Sequence, residues 1–213
     1  MPLRDHFRPP LDNLRHWEAL HGGWPMMIVA TLRDLLPKGY FAEPRIHLGS
    51  SAEARPTLSL STDLPGQDVY EVKVFEEKRH SRLVAAIEIV SPANKDRPDS
   101  RRAFIGKCAG LLREHVSVTI VDLVTTRAAN LYAELLDLVG HADSGLGTQP
   151  PSLYASACRM MRRDDGWLLE TWAEPLVLDR ALPTMPLWLA DNLAVPLELE
   201  RSYEESCGIL GIA

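Results

Sequence analysis

The sequence predicts an α/β protein with a mixed central sheet flanked by helices, and three observations carry that expectation. An apolar run, Leu83 to Val90, is followed by an amphipathic stretch from Asp99 to His115 and then by a second apolar run, Val116 to Val124 (VSVTIVDLV). Strand, helix and strand in that order mark a parallel crossover within one sheet. Ahead of the first run, Val69 to Phe75 alternates, with Val69, Glu71, Lys73 and Phe75 on one side and Tyr70, Val72 and Val74 on the other. The turn-rich Glu76 to Arg82 then joins these two runs as an antiparallel hairpin. Parallel and antiparallel neighbours together make the sheet mixed.

The remaining elements follow from local rules. Proline suits the first turn of a helix, so Trp24-Pro25 predicts a helix start, with Met27, Ile28, Leu32, Leu35 and Leu36 at helical spacing until Pro37 and Gly39. Short strand-like runs come next at Arg45 to Leu48 and Thr57 to Ser61. Ser91-Pro92 ends the central strand in a loop, Ser91 to Lys95. Pro98-Asp99-Ser100 then starts the helix whose apolar stripe is Phe104, Ile105, Cys108, Leu111 and Leu112. Leu131 to Val139 reads as a helix and Gly140 to Pro151 as a loop. Tyr154 to Met161 and Trp167 to Trp172 read as a β-hairpin turning at Asp164-Asp165-Gly166. A proline-punctuated segment from Pro183 to Pro196 leads into a last helix through Leu199, Tyr203, Cys207 and Leu210. No internal repeat or boundary divides the chain, which predicts a single domain over residues 1–213 with an N-terminal helical segment and a C-terminal β-hairpin plus helix.

Composition narrows the function classes. The 213 residues are 46% hydrophobic and 24% charged, the balance of a globular chain rather than a disordered or fibrous one. Cys108, Cys158 and Cys207 have no paired spacing, which argues against a zinc site or disulfide framework and predicts a reducing, cytoplasmic setting. The charged, proline-rich start MPLRDHFRPPLDN lacks the apolar core of a signal peptide, and no run is long enough to span a bilayer, so no membrane partner is expected. A net charge of -6 does not favour a tight non-specific nucleic-acid binder. Basic clusters at Lys78 to Arg82, Arg97 to Arg102 and Arg159 to Arg163 read first as solvated turns and helix faces, yet they keep nucleic acid open as a partner. Homo-oligomerisation through the tryptophan and proline-rich ends is also open.

One residue in LVAAIEIVSPANK, Leu83 to Lys95, stands out. Glu88 lies inside the apolar run, and a carboxylate buried there is costly unless it is protonated, paired or bound to a metal. Ligands of open α/β sheets gather where strands end, and Glu88 lies at such an end. Arg101 falls on the azimuth of the apolar stripe and is expected to point back toward Glu88, whereas Lys107 lies roughly 110° from the stripe's centre, at the flank. Two readings follow: a structural ion pair, or a divalent cation such as Mg²⁺ or Mn²⁺ on Glu88 with Lys107 or Lys95 as electrostatic helper, the layout of metal-assisted phosphodiester cleavage. Glu71 and Asp122 are the candidates for a second metal ligand. Glu71-Val72-Lys73 is a literal E-x-K, for which a solvated cross-strand pair is the favoured reading. His16 and His21 read as polar rim residues beside Trp17 and Trp24. No GxSxG, HExxH, GxGxxG or P-loop motif is present.

These segments also resemble a known family. LVAAIEIVSPANKDRP, the helix containing Lys107 and the VTIVDLV strand look like the centre of the bacterial domain-of-unknown-function family 4058. Trp17 to His21 with LLPKGY (Leu35 to Tyr40) resembles that family's N-terminal part, and VPLELERSYEE (Val195 to Glu205) its C-terminal part. The family is in turn remotely similar to the PD-(D/E)xK nuclease-like superfamily, in which a strand Asp, a Glu on the neighbouring strand and a Lys surround a metal. The resemblance implies a restriction-endonuclease-like fold, with Glu88 at the second acidic position and Lys95 or Lys107 as a displaced lysine, because Ile89-Val90 leaves none in the usual place. It also implies an acid near Arg55-Pro56-Thr57, where this chain has threonine. The passage from Leu48 to Pro56 is shorter than in a close relative, so a loop near Ser51 and a ligand within it are unaccounted for. The resulting expectation is a degenerate metal-dependent nuclease or phosphodiesterase-like site, with a non-catalytic binding or scaffold module as the alternative.

Overall fold

The computed structural model describes residues 2–47, 69–79, 81–146, 149–163 and 166–212. In chain order these contain helices α1 (Leu11–Leu14) and α2 (Trp17–Arg33), strands β1 (Tyr40–His47), β2 (Val69–Glu76) and β3 (Arg82–Ile89), then helices α3 (Pro92–Asp96) and α4 (Pro98–Arg113). After them come β4 (Ser117–Asp122), α5 (Leu131–Leu138), β5 (Tyr154–Arg163), β6 (Gly166–Pro175), β7 (Thr184–Ala190), β8 (Leu193–Glu198) and α6 (Leu199–Leu210). The strand expected over Thr57 to Ser61, the threonine of Arg55-Pro56-Thr57, the loop near Ser51 and the Asp164-Asp165 turn lie outside the described residues.

The expected mixed sheet is present. Six strands run in the order β1-β2-β3-β4-β5-β6, and β7 and β8 form a separate two-stranded sheet. Among the described strands of this sheet only β3 and β4 pair in parallel, and the other neighbours are antiparallel. The crossover from β3 to β4 runs through α3 and α4, which gives the parallel pair the long connection it needs.

Alternation along the central strands divides the core between two faces. Val72, Val74, Ala85, Ile87, Ile89, Val121 and Ala157 pack with α2, α6 and the β7–β8 hairpin. Val118, Ile120, Tyr154 and Cys158 pack with Phe104, Ile105, Cys108 and Leu112 of α4 and with Leu131, Tyr132 and Leu135 of α5. Side chains alternate along a strand, so Glu88, between Ile87 and Ile89, belongs to the α4 face. All three cysteines are free and buried, in keeping with core roles.

Two elements differ from the sequence reading. Helix α2 begins at Trp17, not at Trp24, and Pro25 lies inside it. Trp17, Leu20, His21, Trp24, Pro25, Ile28, Thr31 and Leu32 are buried at a helical period. Tertiary burial of that whole stripe outweighs the ladder bond that Pro25 removes. Second, the proline-punctuated segment is a β-hairpin. Pro186 stands opposite Pro196. In an antiparallel pair alternate residues make no ladder bond, so two opposed prolines at such a position forfeit nothing.

The hairpin belongs to the core on the α2 side, since Leu187 and Leu197 are fully buried with Ile28 and Tyr203. Leu187→Ala is expected to lower unfolding free energy by about 2–5 kcal/mol, measured as a shift of the urea midpoint with an unchanged slope.

Candidate functional site

The site starts from a register match. In the β2–β3 ladder Glu71 stands directly opposite Glu88, and both residues are 2% exposed. Two carboxylates side by side under a helix are strongly unfavourable if both are ionised. The α4 residue Lys107 relieves that clash, with its Nζ 2.8 Å from Glu88 Oε2 and 2.5 Å from Glu71 Oε2. Lys73, next on the same face of β2, donates to Glu71 Oε1 at 2.9 Å. The lysine stems open the cluster to solvent: Lys107 is 25% and Lys73 16% exposed. On β1, Arg45 faces Glu71 and Glu43 faces Lys73, so the charged rows continue to the sheet edge.

The environments push the two acids apart. Burial drives the Glu88 carboxyl up to about 8, with Lys107 opposing and Glu71 reinforcing. For Glu71, burial is outweighed by hydrogen bonds from Glu88, Lys107 and Lys73, which pull it down to about 2. The two acids titrate as a pair, and the burial of adjacent carboxylates favours retention of a proton, with Glu88 raised and Glu71 lowered. Burial alone would lower the Lys107 ammonium, but Glu88 and Glu71 hold it above its ordinary value. Glu88 Oε1 is buried without a hydrogen-bond partner among the described residues.

Lys95 and Asp122 form a second, separate pair. Asp122 lies beyond Ile120, the residue opposite Glu88, on β4. Its Oδ2 is 2.8 Å from Lys95 Nζ, with both side chains fully buried. Burial pushes Asp122 up to about 7 against the pull of Lys95. Lys95 also donates to the Ser152 carbonyl, and Asp122 accepts from the Val124 backbone N–H. The SPANK segment is not a loop but the start of α3: Ser91 and Asn94 make a reciprocal capping box with Pro92 in the first turn. That turn aims Lys95 inward at Asp122, not at Glu88.

Of the five residues singled out in the sequence, Glu71, Glu88 and Lys107 come together and Lys95 and Asp122 stand apart. Three readings need correction. Arg101 pairs with Glu134 of α5 at 2.9 Å, and Lys107 takes the Glu88 carboxylate instead. The stripe of α4 packs over β4 and β5, which leaves the flank of the helix above β2 and β3. Glu71-Val72-Lys73 is not a solvated pair, because α4 covers Glu71. His21 is buried rather than at a rim, stacks on Trp17 and bonds the Ile89 carbonyl through Nε2, and burial lowers it to about 4. Lys73, the last residue of that E-x-K pattern, pairs instead with the buried Glu71 carboxylate.

Among the described residues no group of three or more His, Cys, Asp or Glu side chains converges as a metal cage would require, and no helix is long and apolar enough to cross a membrane. In comparisons with known proteins, no family model matches the chain, and no curated protein or solved structure matches it.

Two outcomes follow from this geometry. Glu88 has a folded pKa near 8 against an ordinary value of 4.5, so its stabilising contribution is complete below pH 4.5 and is lost as pH rises toward 8. Glu71, lowered to about 2, is ionised in both states across that upper window and adds no slope there. Asp122 also loses stability as pH rises toward 7, whereas buried His21 and His6, both lowered to about 4, gain stability up to pH 6.5, so the fall due to Glu88 is read between pH 6.5 and 8, where Glu88→Gln is expected to flatten it. Thermal melts of both proteins across that range check this. At the second pair, Lys95→Met strands a buried carboxyl group and is expected to destabilise by about 3 kcal/mol, largely recovered in Lys95→Met/Asp122→Asn, as a double-mutant cycle in urea would read.

Proposed function

We propose that the protein is a phosphodiesterase or nuclease-like protein of the PD-(D/E)xK type with a reduced site, in which Glu71 and Glu88 hold a divalent cation and Lys107 and Lys73 face the phosphate. The observation that carries the proposal is the meeting of two strand carboxylates and two lysines at one partly open point beside the sheet edge. The restriction-endonuclease-like fold and the resemblance to family 4058 belong to the same proposal, supported by the mixed sheet and by a carboxylate on each of two adjacent strands.

The residues fit Mg²⁺ or Mn²⁺. Mg²⁺ usually takes only one or two carboxylates and completes its shell with water and substrate phosphate, so Glu71 and Glu88 suffice. Glu88 Oε1, buried without a partner among the described residues, is a free oxygen ligand of this kind. When bound, the cation would polarise a phosphoryl oxygen and make a nucleophile of water. The chain supplies the rest: the sheet holds both carboxylates at fixed register, α4 covers them, and the Lys107 and Lys73 ammoniums stabilise charge developing on a phosphate. Lys107 is the mobile part, since its long stem reaches the acids from the helix flank and can swing outward.

The alternative is a non-catalytic binding or scaffold module, and one observation favours it: Lys107 already contacts both carboxylates, which satisfies the cluster internally. Calorimetric titration with Mn²⁺ or Mg²⁺ separates the two. The nuclease reading expects saturable binding that Glu88→Gln weakens at least about tenfold, a difference of about 1.4 kcal/mol. Native protein that binds neither cation, and in which Glu88→Gln only shifts the melting temperature, is the result expected of a scaffold.

A further inference from the structure

A second concave site lies at the other end of the sheet. Arg82 opens β3 and Glu88 nearly closes it, so about 20 Å of strand separates the two sites at roughly 3.3 Å per residue. There the start of β3, the end of β5, the start of β6 and the β7–β8 turn enclose a cleft of about 410 Å³ lined by Arg82, His115, Arg159, Arg162, Trp167 and Asn192, among others. That volume is within the range of small-ligand pockets, roughly 300–1,000 Å³.

Its chemistry is unusual for a chain with a net charge of -6. Three guanidinium groups meet there. Arg159 is structural: it is buried, pairs with Glu170 Oε2 at 2.6 Å and lies over the Trp188 ring, 3.4 Å from its centroid. Arg82 makes only a long, half-exposed pair with Glu76 at 3.4 Å. Such pairs contribute little, so Arg82 is free to turn to a stronger acceptor. Arg162 has no acidic partner among the described residues, and its guanidinium lies 5.9 Å from the Trp167 ring centroid. Trp167 is itself 54% exposed and stacks on His115 with centroids 4.3 Å apart and planes at 19°. An exposed, pre-stacked indole costs apolar surface and gains nothing for the core.

We infer that this cleft binds a nucleotide, with the base stacked on the Trp167–His115 platform and the phosphate held by Arg162 and Arg82. The platform calls for a planar aromatic group, and base stacking on an aromatic side chain is a strong, sequence-tolerant contact. The arginines call for an anion, and the guanidinium fork matches phosphate oxygens two at a time. Asn192, also in the lining, adds an amide for base or ribose polar groups. The same chemistry is offered by a free mononucleotide and by the phosphorylated end of a single strand. The inference does not rest on a cation at Glu71 and Glu88.

The test titrates the whole protein with adenosine monophosphate, adenosine, inorganic phosphate and a single-stranded oligothymidylate carrying a terminal phosphate, followed by tryptophan fluorescence and calorimetry at low salt. Saturable binding of the mononucleotide or the oligonucleotide is expected, with adenosine and phosphate each weaker. Arg162→Ala and Trp167→Leu, both at exposed positions, are each expected to weaken binding at least about tenfold, within the range of one base stack. Arg102→Ala, at an exposed position of α4 outside the cleft lining, is expected to leave binding unchanged. A tighter mononucleotide assigns the free ligand as the source, and a tighter oligonucleotide assigns a strand end. The inference is overturned if neither saturates in the millimolar range, if both cleft variants bind as well as native protein, or if Glu88→Gln abolishes binding that Arg162→Ala leaves intact.

Discussion

Two glutamates placed opposite each other in an antiparallel ladder and then roofed by a helix form the constraint around which the α4 face is arranged. Neither side chain reaches open water, so their charge has to be managed inside the fold. The raised affinity of Glu88 for a proton and the ammonium of Lys107 do this, and Lys73 completes it. The arrangement demands that β2 and β3 keep their register, since a slip of one residue would turn Glu71 to the other face and set Glu88 opposite Tyr70 or Val72. It also demands that α4 pass over the strands with its flank, not its apolar centre, above the acids. The crossover through α3 achieves this, and the capping box at Ser91 fixes where that crossover begins.

The second buried pair is the anchor for that crossover. Lys95 leaves the first helical turn after β3 and ends on Asp122 at the end of β4, the parallel neighbour of β3. Its donation to Ser152 ties in the segment before β5 as well. One lysine thus joins three chain segments at the end of the sheet. The division of labour is physical: a fully enclosed ion pair has no route to a ligand, whereas the Glu71–Glu88 cluster is reached along the exposed lysine stems. Chemistry belongs at the second kind of place, and the proposed phosphodiesterase reading is confined to it.

The opposite face is built from aromatic and apolar packing with a few polar ties. Trp24 donates to Ser202 and His6 shares a hydrogen bond with Tyr203, which links the N-terminal segment and α2 to α6. His21 is held neutral by burial while it bonds the Ile89 carbonyl, so the back of β3 is secured one residue from Glu88. The acid cluster therefore rests on a strand fixed from both sides, which is the condition for two carboxylates to keep their spacing.

Much of this was legible along the chain, because burial, alternation and helical period are local patterns. The mixed sheet, the β2–β3 hairpin, the crossover to β4, the α4 stripe and the anomaly at Glu88 all follow from neighbours within a few residues of one another. Tertiary structure alone decided which cation met which acid. Helical azimuth pointed to Arg101, but the lateral offset of α4 across the sheet selected Lys107, and a capped turn sent Lys95 to Asp122. It likewise turned the opposed prolines of β7 and β8 into a permitted pair and carried α2 through Pro25. Partner choice among charged side chains depends on where elements pack relative to each other, and that is a sum of long-range contacts that no local window contains.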